Sequence, residues 1–91
     1  MNIYLIDDEP RWSKYVASEV ELTTNINQAD IILCSPGRII EAIGKSKPVV
    51  VASGQPTTRE SIMMYRNRDV VNYIPKDFTN GKLRSILNDM A

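Results

Sequence analysis

The sequence predicts a doubly wound α/β domain built on a parallel sheet of four or five strands flanked by helices. Three observations lead there. Four short runs rich in β-branched residues, 3–6 (IYLI), 31–34 (IILC), 49–52 (VVVA) and 70–74 (VVNYI), are spaced along the chain with helix-like stretches between and after them. The first three are almost unbroken apolar runs, the pattern of strands covered on both faces of a parallel sheet. The whole chain is 91 residues, enough for one domain (1–91) with one modest core. Alternating strands and helices then select the α/β class.

Each element can be justified in order. Residues 3–6 form the first strand, and Pro10 suits the first turn of a helix over 9–20, in which Trp12, Val16 and Val20 recur every four residues. Trp12 fits the core, with an interface position as the alternative. Residues 21–29 (ELTTNINQA) form either a short edge strand or a loop with a turn, and a strand there leaves little room for a helix before Asp30. After the strand at 31–34, residues 38–44 place Ile39, Ile40 and Ile43 on one helical face and stop at a glycine. The strand at 49–52 is followed by a helix-like segment over 58–66 carrying Ile62, Met63 and Tyr65. After the strand at 70–74, residues 79–90 carry Leu83, Ile86, Leu87 and Met90 at the spacing of a buried helical stripe. With five strands the expected order is 2-1-3-4-5, joined by right-handed crossovers.

Composition narrows the function. Eleven basic residues balance eleven acidic ones, and no basic cluster with stacking aromatics is present, which argues against a nucleic-acid role. The absence of His removes the commonest general base and zinc ligand, and a single Cys excludes an internal disulfide. No apolar run approaches the roughly 20 residues of a membrane span, and no signal peptide is visible. The expectation is a soluble, cytoplasmic domain that does not contact membrane.

In open α/β sheets, sites gather beyond the carboxyl ends of the strands. Those ends carry Asp7 and Asp8, Cys34 and Ser35, Ser53, and Lys76. Two adjacent carboxylates, a hydroxyl and a lysine suit a magnesium–phosphate site, in which hard oxygens hold the cation and the hydroxyl and ammonium hold phosphoryl oxygens. The plainer readings are also concrete. Asp8-Glu9-Pro10 can simply start a helix, Lys76 can pair with Asp7 or Asp8 and relieve their repulsion, and Ser53 can be a turn residue. Cys34 can be a small buried hydrophobe, and Tyr73 can simply pack on its strand. Arg59, Arg66 and Arg68 read as a solvated helix face.

Taken together, these residues resemble a receiver domain of the two-component response regulators over most of the chain. Leu5-Ile6-Asp7-Asp8-Glu9-Pro10 matches the first strand and the acidic pair. Pro48-Val49-Val50-Val51-Ala52-Ser53 matches the fourth-strand pattern, and Tyr73-Ile74-Pro75-Lys76 the fifth. The resemblance implies a flavodoxin-like fold, a magnesium contribution from Asp7 and Asp8, a phosphoryl contact at Ser53 and Lys76, and a switch aromatic at Tyr73. The chain departs from the family where that family places its phosphoacceptor aspartate. Asp30-Ile31-Ile32-Leu33-Cys34-Ser35 follows the strand pattern but ends in Ser35. Without that carboxylate no acceptor remains and magnesium loses a ligand, and two carboxylates hold magnesium mainly when phosphates help.

The chain is also shorter than a usual receiver, so its second helix is expected to be lost or reduced to a turn. The expectation is a degenerate, non-enzymatic receiver-like signalling module with no required cofactor. It would act by binding a partner protein, or a second copy, through the face made by 58–66, 70–74 and 79–90, with Met63, Met64, Arg66 and Tyr73 as contact residues. The alternative is a phosphoryl-accepting protein. It would be a rewired receiver using Asp7 or Asp8, or a carrier using Cys34, since 29–37 faintly resembles an internal strand of sugar-phosphotransferase IIB proteins.

Overall fold

A computed structural model describes residues 1–54 and 68–90 of the chain. The expected helix over 58–66, and with it Met63, Met64 and Arg66, lies outside the described residues. Five parallel strands form one sheet in the order β2-β1-β3-β4-β5. They are β1 (Asn2–Ile6), β2 (Glu21–Leu22), β3 (Ile31–Cys34), β4 (Val49–Ser53) and β5 (Val70–Pro75). The described helices are α1 (Pro10–Glu19), α2 (Ile39–Ala42) and α3 (Lys82–Met90). The fold is therefore the α/β arrangement that the sequence predicts.

The ambiguous stretch after α1 resolves in favour of a strand, though a minimal one. Asn2 pairs with Glu21 and Ile3 with Leu22, after which Thr23 donates its N–H to the Ile3 carbonyl at 2.9 Å. Where a longer chain would place a helix, residues Ile26–Gln28 form a single 3-10 turn. Asn25 caps that turn by accepting the Asn27 N–H at 3.0 Å. The second helix is thus reduced to a turn.

The helices follow the chemistry of their ends. Pro10 needs no N–H in the first turn of α1, and Val20 ends the helix in an extended conformation. The last helix starts three residues later than its periodicity suggests, at Lys82. Asp77 accepts the Thr79 N–H at 2.9 Å and the Thr79 hydroxyl at 2.6 Å, and this local turn competes with helix at its start. Ile40 departs from the sequence reading: its spacing places it on an apolar face with Ile39 and Ile43, yet it is 86% exposed. A helix of four residues turns only one narrow stripe inward, and here Ala42, with Ile39 beside it, fills that stripe.

Strand side chains alternate between two cores. One face gathers Ile3, Ile31, Leu33, Val50, Ala52 and Ile74 with Trp12 and Val16 of α1 and Leu83 and Leu87 of α3. The other gathers Ile6, Ile32, Cys34, Val49 and Val51 with Ala42 of α2. A register shift between β4 and β5 pairs Val49 with Val70 but Val50 with Asn72, leaving Val71 bulged and more than half exposed. The bulge resets the alternation, so Val70 and Tyr73 pack with the second core while Ile74 joins the first.

Candidate functional site

The parallel sheet brings the carboxyl ends of β1, β3, β4 and β5 to one edge. Backbone hydrogen bonds continue beyond the strands: the Ser35 N–H donates to the Ile6 carbonyl at 3.0 Å, and the Lys76 N–H to the Ser53 carbonyl at 3.0 Å. These bonds hold Asp7, Ser35, Ser53 and Lys76 at neighbouring positions. The sequence expected that convergence from strand ends alone.

The Lys76 ammonium sits 3.0 Å from Asp7 Oδ2 and 2.8 Å from Glu9 Oε2. The side chains of Lys76 and Asp7 are 10% and 2% exposed, so this is a largely desolvated ion pair with Glu9 at its open rim. Asp7 Oδ1 takes the Glu9 N–H at 2.9 Å, while Oδ2 meets the ammonium as a charge contact without a hydrogen bond aimed at it. Below, the ammonium stands 5.8 Å from the centre of the buried Trp12 ring, whose negative face favours a cation. Burial pulls the Lys76 pKa down, but the hydrogen bonds to Glu9 and Asp7 outweigh it, and the net direction is upward. The lysine is a fixed cation.

Asp8 turns the other way. Its carboxylate is largely exposed and accepts from Arg38 Nη1 at 2.6 Å, while Arg38 also binds Glu41 through two nitrogens. Donating to Glu41 and Asp8 raises the Arg38 pKa further, and the Arg38 hydrogen bond lowers that of Glu41. Of the two carboxylates that the sequence joined as magnesium candidates, each therefore has its own cation on its own side of the strand. Among the described residues no three His, Cys, Asp or Glu side chains gather as a metal site. Lys76 and Arg38 thus stand beside the two carboxylates that the sequence offered to magnesium.

The remaining candidates have clear positions. Ser35 opens the 3-10 turn Pro36–Arg38, and its carbonyl accepts the Arg38 N–H at 3.0 Å. Ser53 is buried at the end of β4. Cys34 is fully buried, and its thiol pKa is pushed up to about 12 by desolvation, helped by the charges of Asp7 and Glu41. A thiol held protonated is a poor nucleophile at neutral pH. Tyr73 is half-buried against the second core.

Sequence reasoning missed three contributors. Glu9 and Arg38 are ordinary charges in the sequence, distinguished only by what folds next to them. Glu19 is the third: its buried carboxylate accepts the Gly81 N–H at 3.1 Å and Arg84 Nη2 at 3.2 Å, capping the entry to α3. Gly81 has φ +82°, a left-handed backbone angle that favours glycine. The Tyr15 hydroxyl donates to the Thr79 carbonyl at 2.7 Å and accepts the Leu83 N–H at 3.2 Å. Burial raises the Glu19 pKa, yet the Gly81 and Arg84 hydrogen bonds carry it below the usual carboxylate value.

No helix among the described residues is long and apolar enough to cross a membrane. No family model matches the chain, and neither a curated protein nor a solved structure is found similar to it.

Proposed function

We propose that this chain is a degenerate receiver-like module that acts by binding another protein, without phosphorylation and without catalysis. The observation that carries the reading is the Lys76–Asp7–Glu9 cluster. In a phosphorylatable site the lysine would be available to a phosphoryl oxygen and the acidic pair to a cation. Here the ammonium is held at 3.0 Å and 2.8 Å by Asp7 and Glu9, and Arg38 occupies Asp8. Ser35 supplies a hydroxyl where an acyl-phosphate acceptor needs a carboxylate. The site is neutralised by its own side chains, so neither magnesium nor phosphate is needed to relieve repulsion between Asp7 and Asp8. With no ligand-driven change, the module presents one fixed surface to a partner or a second copy. A cytoplasmic setting goes with this reading.

The competing phosphoryl-acceptor reading finds little support at Cys34, which is buried and protonated, and more at Asp8, whose carboxylate is exposed. Intact-mass spectrometry after incubation with acetyl phosphate and magnesium separates the two. The expected result is no adduct, together with no change in Trp12 fluorescence on adding beryllofluoride. An adduct mapped to Asp7, Asp8, Cys34 or Ser35 would replace this reading with a rewired receiver or a carrier.

A further inference from the structure

We infer that the outer face of α1 and the turn after β5 form a docking site for an acidic peptide segment bearing an apolar side chain. This rests on the interaction-module reading but moves the contact away from the 58–66, 70–74 and 79–90 face. Phe78 is 42% exposed, yet its ring is held edge-on against Trp12 and Tyr15 at 5.5 Å from each. It borders a shallow depression of about 430 Å³ lined by Arg11, Lys14, Tyr15, Ser18 and Phe78. The Arg11 guanidinium lies 5.6 Å over the Phe78 ring, and Lys14 follows one turn along α1.

Charge selects the occupant. Arg11 and Lys14 are exposed and, like Lys45 and Lys82, have no ion-pair partner among the described residues, but of these only Arg11 and Lys14 line the depression. The nearby acids are turned elsewhere: Glu19 caps α3, and Asp77 accepts from Thr79. An apolar floor between two unneutralised cations fits one apolar side chain flanked by carboxylates. A nucleic-acid backbone would need a longer basic track than two residues in a chain of zero net charge.

Trp12 is the sole tryptophan and stacks on Tyr15 at 5.2 Å, so its fluorescence reports on this patch. The test titrates the full chain with an acetylated, amidated peptide of alternating glutamate and leucine. The expected result is a saturable change whose affinity falls about tenfold or more in the Arg11→Glu/Lys14→Glu double variant. A glutamate–serine peptide should bind comparably weakly. Both substituted side chains are exposed, and circular dichroism checks that the fold is kept. No saturable response by fluorescence or calorimetry overturns the site, as does equal binding by the double variant or by a lysine–leucine peptide. A concentration-dependent dimer in sedimentation that Phe78→Ser abolishes would make a second copy the occupant and equally overturn it. Failure here leaves the unphosphorylated-module reading standing, whereas a phosphoryl adduct would remove that reading without altering the titration.

Discussion

Asp7 and Asp8 are adjacent in sequence and opposite in circumstance. Asp7 lies under Lys76, 2% exposed, above Trp12 and the core shared by α1 and α3, while Asp8 is 82% exposed and reaches Arg38 beside the short α2. The same contrast runs through the sheet. One face is closed by two helices whose Trp12, Val16, Leu83 and Leu87 are almost wholly buried, and the other meets, among the described residues, the four-residue α2 and Ile26 of the short 3-10 turn. Successive residues leaving a strand point to opposite sides, so one position decides which environment a carboxylate meets. An identical chemical group is then an almost buried half of an ion pair in one place and a solvated rim charge in the other.

The comparison can be broken most forcefully at the closed face. Leu87→Ala removes a fully buried side chain from the α3 contact and should cost about 3 kcal/mol in chemical denaturation. A loss well under 1 kcal/mol would mean that α3 does not carry that core. Next is Lys76→Ala, which leaves Asp7 charged and almost out of water. The expected cost is about 2 kcal/mol, below the range for fully buried pairs because Glu9 sits at the solvent edge. Lys76→Met, which keeps the stem over Trp12, should recover less than half of that loss if charge rather than packing is responsible.

Titration sharpens the same point. Because the folded Lys76 pKa lies above its unfolded value, its stabilising contribution is complete below about pH 10.4 and is lost as pH rises through the folded value. Glu19 has the opposite sign. Its folded pKa is lowered, so its contribution is present above about pH 4.3 and is lost as pH falls through the folded value. Neither group produces a slope between pH 5 and 8, and thermal melts over pH 3–11 should show a plateau with losses at both ends. Lys76→Ala should shrink the alkaline loss, leaving the part due to Tyr15, whose pKa burial also raises, and should leave the acid one. The smallest effect belongs to Asp8→Asn, which should leave the denaturation midpoint unchanged, since an exposed ion pair contributes little. A destabilisation as large as that of Lys76→Ala would erase the distinction between the two carboxylates.

Much of this could be read from the chain before folding was considered. Unbroken runs such as 31–34 and 49–52 announce central parallel strands, since only strands buried on both faces are apolar at every position. Pro10 marks the start of α1, and the Leu83–Leu87 spacing marks the buried stripe of α3. Strand order and strand ends then place Asp7, Ser35, Ser53 and Lys76 together. Such signals are local and periodic, so they survive without knowledge of partners.

The tertiary structure alone decided the rest. Two residues of β2 gain strand geometry because β1 offers them a free edge, and Ile40 is exposed because α2 stops after a single turn. Glu9 rather than Asp8 shares Lys76, Arg38 reaches back across thirty positions to Asp8, and Glu19 caps a helix sixty-two residues away. Charges carry no periodicity of their own, and their partners depend on which chain segments the apolar core brings within a few ångströms. Hydrophobic order along the sequence determined the sheet, and packing determined which charges meet at its edge.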